Sequence, residues 1–158
     1  MGKWYQGRHG ALFFLLLGLG LVLVYAALEW RFPAAERLES VTGRVEWTYD
    51  SQDAQYLALG GDAGQYVVHV KGDADGRMRA ALRAATGLYP VTLRFDRGQV
   101  NRPGIRPGAF YTVYAVSVGG KQVTSLEAVH ASHRRDNLTA LGLGLAFLAL
   151  GAFSWWRS

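Results

Sequence analysis

Two stretches of this chain, residues 10–28 and 138–156, run for 19 residues each without a charged side chain, and the apolar positions between them follow shorter rhythms. A helix rises about 1.5 Å per residue, so each stretch is close to the ~20 residues needed to cross ~30 Å of hydrocarbon. The pattern predicts two transmembrane helices over those ranges, short tails at 1–9 and 157–158, and a water-facing domain at 29–137. Those 109 residues suffice for one compact domain and are too few for two.

Within the middle domain the rhythm is first that of strands. Over residues 41–49, Val41, Gly43, Val45, Trp47 and Tyr49 alternate with Thr42, Arg44, Glu46 and Thr48, the period of a half-buried strand. Residues 55–59 and 65–71 read as two further strands, joined as a hairpin by Gly60-Gly61-Asp62-Ala63-Gly64. Met78, Ala81, Leu82 and Ala85 then recur at helical spacing as far as Gly87. Strand character returns at 91–96, at 110–118 after a loop holding Pro103 and Pro107, and at 121–123 after the Gly119-Gly120 turn. Thr124-Ser125-Leu126-Glu127 matches a capping box with Thr124 as cap, so a helix starts there and either continues into the second span or breaks at Asp136-Asn137.

The expected fold class is a membrane α+β protein: two transmembrane helices flanking a small β-rich domain with one short helix. The order strand, strand, strand, helix, strand, strand fits an OB-like barrel, the five-stranded, partly open oligonucleotide/oligosaccharide-binding type. A plain antiparallel sheet packed by one helix fits it as well.

Composition sharpens the membrane reading. Trp4, Trp30, Trp155 and Trp156 flank the apolar runs, where an amphipathic indole anchors at headgroup depth. No Asp, Glu, Lys, Arg or His lies inside either span, which argues for anchoring over ion conduction or proton pumping. Ala140 with Gly144, and Gly142 with Ala146, place small faces four apart on the second helix, suited to close helix contact. Lys3 and Arg8 precede the first span and favour cytoplasmic tails, which puts the domain on the periplasmic side of an inner membrane; Arg134 and Arg135 before the second span pull the other way. The first stretch has a rival reading as a signal peptide cleaved after Val24-Tyr25-Ala26, against which its apolar run is longer than the usual ~7–15 residues.

The strand opening Val41-Thr42-Gly43-Arg44-Val45, the segment Val91-Thr92-Leu93-Arg94-Phe95-Asp96 and the two flanking spans together resemble small bacterial inner-membrane proteins of unknown function that carry a β-rich domain between two helices. The resemblance implies the architecture and no catalytic residue.

Candidate chemistry centres on arginine. Arg77, Arg79, Arg83, Arg94, Arg97, Arg102 and Arg106 fall within 30 residues that hold one acid, Asp96. Guanidinium forks suit phosphate or carboxylate, so an anionic ligand, lipid headgroup or acidic polymer is one expected partner. The counter-reading is that the acid-rich stretch 29–75, with nine carboxylates against four basic residues, folds opposite them. Arg134 and Arg135 are expected at lipid headgroups. The domain as a whole has 14 basic and 12 acidic residues, a balance that does not mark a nucleic-acid binder. His130 and His133 share a helix face at metal-ligand spacing but have no third ligand at a supporting position, and a solvated or headgroup-facing surface is the simpler role.

There is no cysteine, hence no disulfide, thiolate site or cysteine nucleophile. A nucleophile elbow, a phosphate-binding loop, a dinucleotide fingerprint and a zinc-protease helix are all missing from the sequence. The expectation is a non-enzymatic interaction module without cofactor or metal. Its partners are the bilayer and either an envelope protein or a second copy of the chain.

Overall fold

The computed structural model describes residues 8–157, so Lys3 and Trp4 lie outside the described residues. The chain forms two compact units, one of residues up to 32 and from 134 onward, the other Pro33–His133.

In the first unit, α1 (Arg8–Trp30) and the greater part of α3 (Leu126–Arg157) are both long and apolar enough to cross a membrane. They meet along a seam of small residues. A Cβ on Gly18 would stand 2.7 Å from the carbonyl oxygen of Gly144, and one on Gly151 would stand 2.8 Å from the Leu15 side chain. Only glycine lets the backbones approach this closely. Phe14 and Phe147 stack beside the seam with centroids 5.9 Å apart. The contact uses Gly144 and Gly151; Gly142 faces open space, which corrects its expected place on a pairing face. α3 does not break at Asp136-Asn137: Asn137 is buried and donates from Nδ2 to Glu29 Oε1 at 3.3 Å, tying the end of α1 to α3. Leu12, Leu16, Leu19, Leu23, Leu145 and Leu150 point outward, exposed.

The second unit is built on six strands, β1 (Glu39–Asp50), β2 (Ala54–Leu59), β3 (Gln65–His69), β4 (Pro90–Asn101), β5 (Phe110–Val118) and β6 (Lys121–Thr124). Their order is β3-β2-β1-β4-β5-β6, each neighbour antiparallel. β5 also returns to β3 as a parallel partner, Gln65–Val67 against Phe110–Thr112, so β1, β2, β3, β5 and β4 form a closed circuit of pairings. The alternation in β1 sends Val45 inward opposite Leu59. These two join Leu57, Val68, Val91, Leu93 and Val116 in the core, all essentially without solvent contact. Each such side chain contributes about 1.5–3 kcal/mol relative to an exposed one.

The short helix α2 (Arg77–Ala85) buries Met78, Leu82 and Ala85, the i, i+4, i+7 stripe, and packs on β1, β4, β5 and β6. Its first turn has no side-chain cap from its own N-cap residue, Gly76. The buried Asp73 supplies one from further back, accepting from the N–H groups of Met78 at 2.9 Å and Arg79 at 3.0 Å.

Three sequence boundaries need correction. β3 ends at His69, where a 3₁₀ turn over Val70–Gly72 takes over. β4 runs on past Asp96 to Asn101 through an irregularity between Asp96 and Val100, which puts Arg97 on a strand. The cap of α3 is Ser125 and not Thr124: Ser125 Oγ accepts from the Ala128 N–H at 3.2 Å, while Thr124 is spent in β6 opposite Val116.

Candidate functional site

The seven arginines do not form one bare patch. Arg77 pairs with Asp75 at 2.5 Å, Arg79 with Asp73 at 3.0 Å, Arg83 with Asp50 at 2.9 Å and Arg97 with Glu39 at 2.7 Å. All four acids come from the acid-rich stretch before α2, so the fold sets that stretch against the arginines. Arg94 donates from Nη2 to the Ala35 carbonyl at 3.0 Å. Arg106 lies over the Trp47 ring with its guanidinium carbon 4.6 Å from the centroid. Arg102 is exposed and has no ion pair among the described residues.

Arg134 and Arg135 are exposed on α3, and Trp30, Trp155 and Trp156 are exposed at helix ends, with Arg8 over the Trp155 ring at 5.9 Å. His133 stands against the backbone of Gly72, where a Cβ would meet its Nε2 at 3.3 Å. No cluster of three or more metal-binding side chains occurs among the described residues.

What the fold does bring together is a cleft of about 290 Å³ where β3 and β5 begin side by side. Its apolar lining is three rings in mutual contact. Tyr66 meets Phe95 edge-on at 5.0 Å, Phe95 meets Tyr111 at 5.5 Å, and Tyr66 meets Tyr111 at 6.3 Å. Each ring comes from a different strand, and the parallel register Tyr66↔Tyr111 turns two of them to the same face.

The polar lining is Asp62 from the β2–β3 turn, Gln65 from β3 and Arg97 from β4. Tyr66 donates its hydroxyl to Asp62 Oδ2. Burial, reinforced by that carboxylate, holds the Tyr66 phenol well above its ordinary pKa, so it remains a donor at any physiological pH. Arg97 directs Nε and Nη2 at Glu39 Oε2, at 3.0 and 2.7 Å, and lies over Tyr111 at 6.0 Å. The hydrogen bonds to Glu39 raise its pKa further, keeping the charge fixed. Gln65 donates from Nε2 to the Pro107 carbonyl at 2.8 Å, while its Oε1 is buried without a hydrogen-bond donor among the described residues.

Glycine keeps the cleft open at two places. A Cβ on Gly64 would sit 2.5 Å from the Tyr66 hydroxyl, and one on Gly108, at φ +114°, would sit 2.6 Å from Gln65 Nε2. The segment between β4 and β5 thereby serves two faces at once. Gly108 and Ala109 line the cleft, while Arg106 covers Trp47 in a second, smaller apolar cluster of Ala54, Val67, Phe110, Trp47 and Tyr56.

Of the residues lining the cleft, sequence reasoning singled out only Arg97 as a site residue. Asp62 and Gly64 were legible as turn residues, and Tyr66 and Tyr111 as strand residues. The available signal was a tyrosine just inside each of two strands that follow glycine-containing loops. Comparison with family models, with curated proteins and with solved structures finds no match for this chain.

Proposed function

We propose that this protein is a non-enzymatic, two-pass membrane-anchored binding module of a bacterial inner membrane. In this reading α1 and α3 span the bilayer, Arg134 and Arg135 meet lipid headgroups, and the β unit faces the periplasm. The circuit of strand pairings, with α2 between β3 and β4, supports an OB-like barrel as the finer form of this unit. The observation that carries the reading is the pairing of two helices whose large apolar side chains face outward with a β unit whose open cleft gathers aromatic and charged groups.

The test has two parts. Reporter fusions after Ser158 and within residues 60–64 should report opposite compartments, and crosslinking in cells followed by extraction in mild detergent should retain an envelope partner or a second copy. A chain that is recovered alone and monomeric, with reporters on one side, overturns the proposal.

A second reading, an anionic ligand held by the Arg77–Arg106 stretch, is supported by Arg102, which is exposed and takes no acid, and by Arg106, which pairs with a ring. Converting Arg102 and Arg106 together to alanine should weaken binding to anionic vesicles and flatten its salt dependence. Unchanged binding removes this reading.

A further inference from the structure

An apolar tip closes the end of the β sheet at Pro90, and its role rests on the membrane-anchored reading. We propose that Leu88 and Tyr89 dip into the headgroup boundary of the anionic bilayer that anchors the chain, with Arg44 and Lys121 at its phosphates, which gives the β unit a membrane contact of its own.

Three observations carry this. First, the tip is apolar where turns are ordinarily polar. α2 is followed by Gly87, whose φ of +71° turns the chain, and the N–H groups of Leu88 and Tyr89 donate to the Ala85 carbonyl at 3.0 and 3.2 Å. That turn fixes the two residues while leaving them 69% and 57% exposed. After a glycine-ended helix the next apolar residue frequently folds back onto the last turn; Leu88 does not. A bilayer boundary takes leucine out of water and lets tyrosine keep its hydroxyl at the polar level.

Second, the rim is basic. Pro90 lies opposite Arg44 in the β1–β4 register, and its carbonyl accepts from the Gly119 N–H at 2.9 Å, which brings the β5–β6 turn alongside. Lys121 follows that turn, opposite Val118. Arg44 and Lys121 are exposed, and neither has an ion pair among the described residues. No acid occurs in residues 84–95 or 97–126, and Arg83 is already paired with Asp50. The next acid along β1, Glu46, has its carboxylate at Gly60 on the β2 side. Third, the chain keeps a bilayer within reach. Only Arg31 and Phe32 stand between α1 and the β unit, and α3 continues from one unit into the other without a break. Under such tethering the contact is intramolecular, so a weak one suffices, an advantage that a soluble acidic protein lacks. A second copy fits less well, because a two-fold contact sets Arg44 and Lys121 against their own counterparts.

The chain has no cysteine, so single cysteines can carry an environment-sensitive fluorophore on the full protein in nanodiscs. Labels go on Leu88→Cys, on Gln52→Cys in the exposed β1–β2 turn, and on Leu19→Cys in α1. The discs hold phosphatidylcholine alone or mixed with phosphatidylglycerol, each with and without lipid bearing a nitroxide near the headgroup end of its acyl chain. In the mixed discs the label at 88 should shift to the blue and be quenched by the nitroxide. The label at 52 should stay aqueous, and the one at 19 should be shielded from water in both lipids. Arg44→Glu with Lys121→Glu, both exposed, should weaken the contact at 88 about tenfold or more. Raised salt should weaken it too.

A label at 88 with the spectrum of the one at 52 overturns the tip assignment, and shielding at 19 then leaves the anchoring reading in place. Shielding at 88 without nitroxide quenching, the signature of a protein partner or a second copy, overturns the assignment as well. So does quenching that is indifferent to lipid charge and to the two reversals. A label at 19 as open to water as the one at 52 overturns both readings.

Discussion

The two units of this chain are packed by opposite rules. In the helical unit the bulky side chains Leu12, Leu16, Leu19 and Leu23 face outward, and the surfaces that meet are made of Gly18, Gly144 and Gly151. In Pro33–His133 the bulky side chains Leu57, Leu59, Leu93 and Leu82 are sealed inside, and the charges of Arg77, Arg83 and Arg97 lie outside. Burying a leucine is favourable only relative to water, so a fold that leaves its leucines out and hides glycine has nothing to gain from water. The contrast supports the proposal that α1 and α3 lie in a bilayer while the β unit lies in water.

The largest expected effect comes from forcing a charge onto the outward apolar face. Leu16 and Leu23 are 61% and 60% exposed on α1. Leu16→Lys combined with Leu23→Lys should oppose membrane integration by about 5 kcal/mol. The measurement is the share of chain that resists carbonate extraction from membranes, which should fall sharply. Ala84→Lys, on the exposed side of α2, should leave that share unchanged. Equal behaviour of the two variants would break the comparison outright.

Next in size is the charge that the β unit does bury. Asp73 accepts three hydrogen bonds, from the N–H groups of Met78 and Arg79 and from Arg79 Nε. Asp73→Ala strands two helix donors and a largely covered guanidinium, and should cost about 3–5 kcal/mol. Thermal denaturation followed by far-ultraviolet circular dichroism in detergent should show the β unit melting earlier. The helical signal from α1 should persist, since nothing in that helix depends on Asp73.

The seam between the helices should respond more mildly. Leucine at Gly18 meets the backbone of Gly144 and Leu148 at 2.7–2.8 Å and must push the helices apart. The cost expected for such overpacking is about 1–3 kcal/mol. The readout is faster proteolysis of the helix pair in detergent, with Gly20→Leu as the control, since Gly20 faces open space.

How far these rules could be read from the sequence differs along the chain for physical reasons. The apolar runs, the alternation through Val45 and Trp47, and the i, i+4 spacing of Met78 and Leu82 are local, and local periodicity survives in a sequence. The irregularity after Asp96 hides the second half of β4, because an interrupted register breaks the alternation that signals a strand. Thr124 and Ser125 are both chemically able to cap, and the choice between them is made by the pairing of Thr124 with Val116, which is tertiary. The cleft was the least legible part. Asp62, Tyr66, Phe95 with Arg97, and Tyr111 come from the β2–β3 turn, β3, β4 and β5, and the parallel pairing of β3 with β5 that joins them leaves no mark on either strand. Likewise the arginine run looked like a patch because its acids lie earlier in the chain.

A polar group hidden in the β unit gives a finer probe of the same contrast. Gln55 is fully buried in β2, and neither Nε2 nor Oε1 has a hydrogen-bond partner among the described residues. A buried amide left unpaired costs about 1–3 kcal/mol, and methionine has nearly its shape. Gln55→Met should therefore raise the stability of the β unit by about 1–2 kcal/mol, measured by chemical denaturation. A loss instead would mean that the amide is satisfied by a bound molecule, which would make this core wetter than its buried strand partner Val68 suggests.

The smallest effect tests the same interior through protons. His69 closes β3, and burial lowers its pKa below the ordinary value near 6.5, partly offset by the carboxylate of Asp53. A lowered folded-state pKa means that the unfolded chain binds the proton more readily. Stability is therefore intact above the unfolded value and falls as pH drops through about 6.5 toward the folded value. Between about pH 7.5 and 5.5 the melting temperature of the β unit should decline, and His69→Gln, which cannot take the proton, should flatten that decline without changing the value at the upper end by much. Residues 10–28 of α1 hold no group that titrates in this window, so the proteolytic resistance of that stretch should stay level across the same range. A parallel decline in both units would break the contrast between them.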